Sequence, residues 1–203
     1  MPVKALLLDI GEVLLTKGWG RHSRQKSAVH FGLDYDEMQD RHALVFHIYE
    51  EGRISLEEYL KRVVFHCPRS FTYQQFTDFI YEQSKPYPDM MKFVAALKAE
   101  YGLKTVALSN EGREIMEYRI KKFNLASVID FFVCSCYVST EKPDPAIFGF
   151  AMDQVQLHKE EVIYIDDTEL HVEVARELGI PAIKHVDHAS TREKLVSFGL
   201  ELK

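Results

Sequence analysis

The sequence predicts an α/β fold, in which a parallel, doubly wound sheet carries helices on both faces. Short apolar segments of strand length alternate with helical patterns from residue 102 onward, and one more such segment opens the chain. Between the first and second segments, residues 21–85 show helical periodicity without a convincing strand pattern. The predicted strands are residues 5–8, 104–110, 131–134, 162–167 and 181–184.

The first strand is four apolar residues, Ala5 to Leu8, with no polar residue for either face. Such a run suits a strand of a parallel sheet that is buried on both sides. Helix signals follow: Ser55 and Glu58 form a capping box, and Pro88 and Gly102 bracket another helix. The predicted helices are residues 23–31, 36–50, 55–66, 72–83, 88–101, 114–123, 145–153, 169–178 and 191–198.

Composition restricts the class of protein. The chain has 203 residues, of which 46% are hydrophobic, so it can bury a core. Its net charge of −6 gives no basic footprint for nucleic acid and no polybasic segment for a membrane surface. Its three cysteines lack a framework spacing, which favours reduced thiols and a cytoplasmic setting.

Polar side chains follow three of the predicted strands. Asp9 follows the first, Ser109 and Asn110 end the second, and Asp166 and Asp167 end the fourth. If these three strands are neighbours in the sheet, their carboxyl ends meet at one crevice and these groups converge. Carboxylates held together repel one another, and a divalent cation such as Mg²⁺ relieves that repulsion.

These residues, in this order, resemble the four motifs of the haloacid dehalogenase-like (HAD) hydrolase superfamily. Leu-Leu-Leu-Asp9 looks like the first motif and Leu108-Ser109-Asn110 like the second. Lys142-Pro143 looks like the third motif and Ile165-Asp166-Asp167 like the fourth. The resemblance implies a Rossmann-like core with sheet order 5-4-1-2-3, formed by residues 1–16 and 86–203. It implies a helical cap at residues 17–85.

The resemblance also implies roles for individual residues. Asp9 would be the nucleophile that forms a covalent intermediate. Ser109 would donate a hydrogen bond to the substrate, and Lys142 would neutralise the charge shared by Asp9 and the substrate. Asn110 would touch the substrate or hold the turn.

For the metal, the resemblance implies a Mg²⁺ site built from Asp9, the carbonyl oxygen of Gly11 and Asp167. Asp166 would support Lys142 or a metal-bound water, and either acidic residue of the fourth motif remains open as a direct ligand. His171 would either hydrogen-bond this site or cap the helix that follows Asp167.

One position departs from the phosphatases of the family. The residue two beyond the nucleophile is usually a second Asp, which protonates the leaving oxygen, but here it is Gly11. General acid–base catalysis typically contributes about 10² to 10⁴ in rate. Glu12 carries a carboxyl group, but it lies one residue beyond the position of the missing acid. An Asp-x-Gly pattern also occurs in a branch with sugar-phosphate phosphatases.

The sequence therefore predicts a Mg²⁺-dependent hydrolase that removes phosphate from a small phosphorylated metabolite, such as a sugar phosphate. One alternative is 2-haloacid dehalogenation on the same nucleophile, although Ile10-Gly11-Glu12-Val13 does not match that branch. Another is a binding or regulatory protein of low activity, which Gly11 motivates. Trp19 is expected to pack against the cap more than to face a substrate.

Overall fold

The computed structural model describes residues 2–202; the first and last residues of the predicted core lie outside the described residues. Its centre is a five-stranded, all-parallel sheet in the order β3-β2-β1-β4-β5. The sheet order and the α/β class predicted from the sequence are confirmed. The strands are β1 (Ala5–Leu8), β2 (Lys104–Ser109), β3 (Phe131–Cys134), β4 (Val162–Asp166) and β5 (Ala182–Lys184).

The central strand β1 is buried on both faces because its side chains alternate between two apolar layers. Leu6 and Leu8 face a cluster that includes Phe93 and Met116, whereas Ala5 and Leu7 face one that includes Phe148. The helices of this part of the chain are α5 (Pro88–Tyr101), α6 (Arg113–Lys122), α7 (Ser135–Val138), α8 (Pro145–Val155), α9 (Glu169–Glu177) and α10 (His188–Ser197).

Four helices precede α5 and bury an apolar cluster of their own, in which Tyr59, Leu60 and Phe76 are fully covered. They are α1 (Arg21–Phe31), α2 (Tyr35–Glu50), α3 (Leu56–Val63) and α4 (Tyr73–Glu82). We call residues 17–85 the helical insertion. A separate cluster is what the predicted cap requires; the division into two domains stays a prediction.

Most element boundaries agree with the sequence pattern, and the capping signals explain why. Ser55 and Glu58 form the predicted capping box, and Gly102 ends α5 in the left-handed conformation with φ 63°. Three predictions were wrong. Helix α7 was not predicted, α3 ends at Val63 rather than at residue 66, and α10 begins at His188, where the Asp187 side chain caps it. A single four-residue turn such as α7 has no periodicity to detect.

Two findings bear on the setting of the chain. Cys134 and Cys136 are buried and Cys67 is exposed, and none of the three is in a disulfide. Among residues 2–202, no helix is both long enough and apolar enough to cross a lipid bilayer. The cytoplasmic setting stays a prediction.

Arg119 joins the two connections between the helical insertion and the sheet. Its side chain is almost fully buried and donates to the Thr16 carbonyl at 2.8 Å and the Ser84 hydroxyl at 3.0 Å. It also pairs with the Glu111 carboxylate at 3.0 Å. Arg119 therefore fixes both ends of the insertion against α6.

We expect Arg119→Met to lower the free energy of unfolding by about 3–5 kcal/mol, because it leaves the buried Glu111 carboxylate without its cation. Urea denaturation followed by circular dichroism measures this difference. Arg192→Met removes the same group from an exposed position and should cost less than about 1 kcal/mol. Equal losses in the two variants would contradict the assignment.

Candidate functional site

The polar residues at the strand ends meet on one side of the sheet, as the sequence predicts. Leu8 of β1 is aligned with Ala107 of β2 and Ile165 of β4, and the Asp9 amide donates to the Ile165 carbonyl at 2.9 Å. The chain therefore leaves all three strands at the same level. These ends form the floor of a cavity of about 210 Å³, whose lining includes Asp9, Gly11, Lys17, Trp19, Glu50, Ser109, Asn110, Lys142, Asp167 and His171.

Lys142 lies at the centre of this floor. Its side chain is buried, and its Nζ lies 2.6 Å from Oδ2 of Asp166 and 3.2 Å from Oδ1 of Asp9. Burial alone would lower the pKa of Lys142, but the two carboxylates outweigh it and raise the pKa above its ordinary value. The ammonium group is therefore a permanent positive charge beside Asp9.

Asn110 holds Lys142 in place through its backbone. The Asn110 amide nitrogen donates to the Lys142 carbonyl, and its amide oxygen accepts from the Lys142 N–H, each at 2.8 Å. Both polar ends of this side chain are therefore engaged within the protein. This matches the turn-holding alternative considered from the sequence; contact between Asn110 and substrate stays a prediction.

Asp166 is fully buried, and both of its carboxylate oxygens are occupied by protein donors. Oδ2 accepts from Lys142 and from the Tyr164 hydroxyl, and Oδ1 accepts from the Thr168 N–H at 2.7 Å. His171 Nδ1 lies 3.2 Å from Oδ2. Burial opposes ionisation, but Lys142 and His171 together lower the pKa of Asp166. His171 thus reaches the site, which resolves the two alternatives that the sequence left open.

The Asp9 carboxylate has fewer hydrogen-bond donors around it than the Asp166 carboxylate. Its Oδ1 accepts from the Ile10 N–H at 2.8 Å, and the nearby Ser109 hydroxyl acts to lower the pKa of Asp9. Burial raises the pKa of Asp9, and Lys142 acts against that rise. A carboxylate that is desolvated yet kept close to a cation is suited to nucleophilic attack.

Lys17 is a residue of the cavity that the sequence motifs did not indicate. Its Nζ lies 2.6 Å from Oδ2 of Asp167. Its aliphatic stem lies over Gly11, because a Cβ at Gly11 would be 3.4 Å from Cγ of Lys17. A lysine eight positions after Asp9 in a loop carries no periodic signal, so only the fold reveals it.

Glu12 does not fill the place above Gly11. Its carboxylate accepts from the Lys17 N–H at 3.0 Å and from the Tyr87 hydroxyl at 2.8 Å. These contacts direct it to neighbouring surface clefts rather than to the cavity that contains Asp9. The side chain therefore stabilises the loop after β1.

Trp19 forms part of the cavity wall from the side of the helical insertion. Its indole N–H donates to the Tyr59 hydroxyl at 2.8 Å, and its ring packs edge-on against Phe76. The packing predicted for Trp19 from the sequence is confirmed. Glu50, at the end of α2, also lines this wall.

The donors present fit a hard divalent cation. Among the described residues, Asp9, Asp166 and Asp167 are the one group of three or more Asp, Glu, His or Cys side chains whose ligand atoms all lie within 4.8 Å of one another. Three carboxylates of this kind suit Mg²⁺, which prefers oxygen ligands. Asp166 is already saturated by protein donors, so Asp9 and Asp167 are the better matched pair.

Comparisons with known proteins match the chain to one family. Residues 3–179 match the family model described as haloacid dehalogenase-like hydrolase. The phosphorylated carbohydrates phosphatase of Thermotoga maritima is 26% identical over 92% of this chain and 87% of its own length. Mouse acyl-CoA dehydrogenase family member 10 is 33% identical over 59% of this chain. The chain spans only 11% of that mouse protein and 21% to 45% of two further relatives.

A solved structure shows the same fold. A HAD family enzyme of Bacteroides thetaiotaomicron, in complex with magnesium and inorganic phosphate, superposes with a TM-score of 0.76 at 21% identity. The match covers 93% of this chain and 98% of that one. The family model spans most of the sequence, and the chain therefore belongs to the haloacid dehalogenase-like hydrolase family.

Proposed function

We propose that this protein is a Mg²⁺-dependent phosphatase that acts on a small phosphorylated metabolite, such as a sugar phosphate. The observation that carries the proposal is the buried cation of Lys142 between Asp9 and Asp166, at the floor of a small polar cavity. A nucleophile beside a fixed positive charge suits a substrate that brings negative charge to the reacting atom. The Thermotoga phosphatase and the Bacteroides complex with phosphate support the same reaction class.

In this mechanism Asp9 attacks phosphorus and the bond to the leaving oxygen breaks, which leaves an aspartyl-phosphate. Ser109, whose hydroxyl lies at the Asp9 carboxylate, donates to a phosphoryl oxygen, and Lys142 neutralises the charge that builds up. Asp166 orients Lys142. Water then attacks the aspartyl-phosphate and releases phosphate. Helical residues 17–85 act as a cap that covers the substrate.

Asp9, Asp167 and the Gly11 carbonyl would hold Mg²⁺, which supplies charge neutralisation and orientation of the phosphoryl group. The Lys17 ammonium, 2.6 Å from Asp167, balances the charge of that carboxylate in the protein described here. We assign Asp166 to Lys142 rather than to the metal because its oxygens are already engaged.

The test is phosphate release from a panel of sugar phosphates and p-nitrophenyl phosphate, with Mg²⁺ and again with excess EDTA. We expect turnover with Mg²⁺, a loss of at least about tenfold in EDTA, and a phosphorylated enzyme detectable by intact-protein mass spectrometry. Phosphate-ester binding without any turnover would contradict the proposal and support the binding-protein alternative. Halide release from 2-chloro acids without added metal would contradict it in favour of dehalogenation.

A further inference from the structure

A phosphatase needs a proton donor for the leaving oxygen, and residues 11 and 12 of the loop after β1 offer none. The Lys17 ammonium of the same loop is paired with Asp167 at 2.6 Å. Gly11 has no side chain, and the Glu12 carboxylate is held by Lys17 N–H and Tyr87 outside the cavity. For a sugar phosphate, the leaving group is a poorly acidic alcohol that departs slowly as an alkoxide. Another wall of the cavity must therefore supply the proton if such a substrate is to react efficiently.

Glu50 is an acidic residue on the wall of the cavity that the helical insertion forms. It is the last residue of α2, and its backbone carbonyl accepts from the Ser135 hydroxyl at 2.7 Å. That bond fastens the end of α2 to the sheet half of the molecule. Its side chain is partly buried and lines the same cavity as Asp9.

The surroundings of Glu50 favour its uncharged form. It faces Glu111 from the loop after β2, Glu141 from the loop before α8, and Arg24 from α1. Arg24 is directed elsewhere, to the Trp19 carbonyl at 2.7 Å and to Gln39 at 3.0 Å. Glu111 is neutralised by Arg119. Glu50 therefore has acidic neighbours and no cation bonded to its carboxyl group among the described residues.

The contact with Glu141 has a direct consequence for protons. The two carboxyl groups repel each other when both are ionised, so the pair is more stable when one of them carries a proton. Glu141 Oε1 contacts His47, whereas its Oε2 is buried and has no donor among the described residues. A proton on Glu50 would supply the donor that this acceptor lacks. Burial, followed by repulsion from Glu111 and Glu141, raises the pKa of Glu50 to about 8.

The geometry of phosphoryl transfer places the proton donor on this wall. Attack and departure are roughly in line, so the leaving oxygen lies on the side of phosphorus away from Asp9. Asp9 lies on the floor of the cavity at the sheet end, and Glu50 belongs to the wall formed by the helical insertion. The leaving oxygen is therefore directed toward the wall that holds Glu50.

We propose that Glu50 is the general acid and base that replaces the side chain missing at Gly11. This inference rests on the proposed phosphatase function. As Asp9 forms its bond to phosphorus, the bond to the leaving oxygen breaks and Glu50 transfers its proton to that oxygen. Glu50 is then a carboxylate, and it accepts a proton from the water that attacks the aspartyl-phosphate. The second step returns Glu50 to its starting form.

The test compares two leaving groups in Glu50→Gln. With a sugar phosphate, we expect turnover to fall by about 10²- to 10⁴-fold, because the alcohol is no longer protonated. With p-nitrophenyl phosphate, the first turnover should change less than about threefold, since nitrophenolate leaves without a proton. Steady-state turnover should then be slow, so stopped-flow absorbance should show a burst of one nitrophenolate per enzyme.

The pH profile and a matched control separate a proton donor from a structural residue. Wild-type turnover of the sugar phosphate should fall as pH rises through about 8, where Glu50 loses its proton, and Glu50→Gln should lack this limb. Glu51→Gln changes the next residue, whose carboxylate pairs with Arg53. This variant should turn over both substrates at the wild-type rate. Equal loss on both leaving groups in the first turnover would overturn the proposal.

A rescue experiment gives an independent readout. Gly11 does not have a positive φ, and a Cβ there would meet Lys17 at an ordinary 3.4 Å, so Gly11→Asp should fold. In the Glu50→Gln background it should restore sugar-phosphate turnover by about tenfold or more. Unchanged wild-type-like turnover in Glu50→Gln would refute the role of Glu50 and leave the phosphatase function intact. Absence of turnover in the wild-type protein itself would instead refute the phosphatase function.

Discussion

Asparagine in place of Asp9 is expected to lower phosphate release by about 10⁴-fold or more, the largest loss at any position of this chain. A carboxamide has nearly the shape of the carboxylate but does not attack phosphorus, so the aspartyl-phosphate cannot form. The fold should persist, because Lys142 keeps its 2.6 Å contact with Asp166. Phosphate release and intact-protein mass measure the two consequences.

A control at a surface carboxylate makes this result specific. Asp153 is exposed on α8, and Asp153→Asn removes the same charge far from the cavity. It should retain full activity and should still form the phosphorylated enzyme. If Asp9→Asn kept a rate within tenfold of the wild-type protein, Asp9 would not be the nucleophile.

Lys142→Met is expected to have the second largest effect, on both activity and stability. Asp9 and Asp166 would lose their shared cation, and the negative charge of the transition state would go unbalanced, so the rate should fall by about 10²- to 10³-fold. The free energy of unfolding should fall by about 3–5 kcal/mol, because buried carboxylates remain without their partner. Turnover and urea denaturation measure these losses separately.

The matched control for Lys142 is another lysine–aspartate pair. Lys98 lies 2.6 Å from Asp130, but both side chains are accessible to water. Lys98→Met should cost at most about 1 kcal/mol, since surface pairs contribute little, and should leave turnover unchanged. A loss of stability in Lys142→Met no larger than this would show that the buried cation does not hold the site together.

The fold could be predicted from sequence because its signals are local. Four apolar residues before Asp9 indicate a strand buried on both faces, and Ser55 with Glu58 marks a helix start within four residues. The convergence of Asp9, Ser109 and Asp166 followed from the strand order that the family resemblance implies, because the carboxyl ends of adjacent parallel strands share one edge. The short helix α7 had too few residues to show a period.

The wall of the cavity could not be predicted in this way. Lys17 lies in a loop, and its contact with Asp167 spans 150 positions of the sequence. The sequence pattern ends the second strand at Asn110 and the structure ends β2 one residue earlier, but only the structure shows that the Asn110 side chain holds the Lys142 backbone. Glu50 has the pattern of an ordinary residue at a helix end. Its surroundings come from α1 and from the loops after β2 and before α8.

By itself, then, the sequence determined the strands, the polar residues that follow them and so the residues of the cavity floor, because each is encoded in a short segment. The tertiary structure alone decided what faces that floor. Arg119 fastens the helical insertion at Thr16 and Ser84, and Ser135 fastens the end of α2. Desolvation and neighbouring charge, which act through space rather than along the chain, then raise the pKa of the Glu50 carboxyl group.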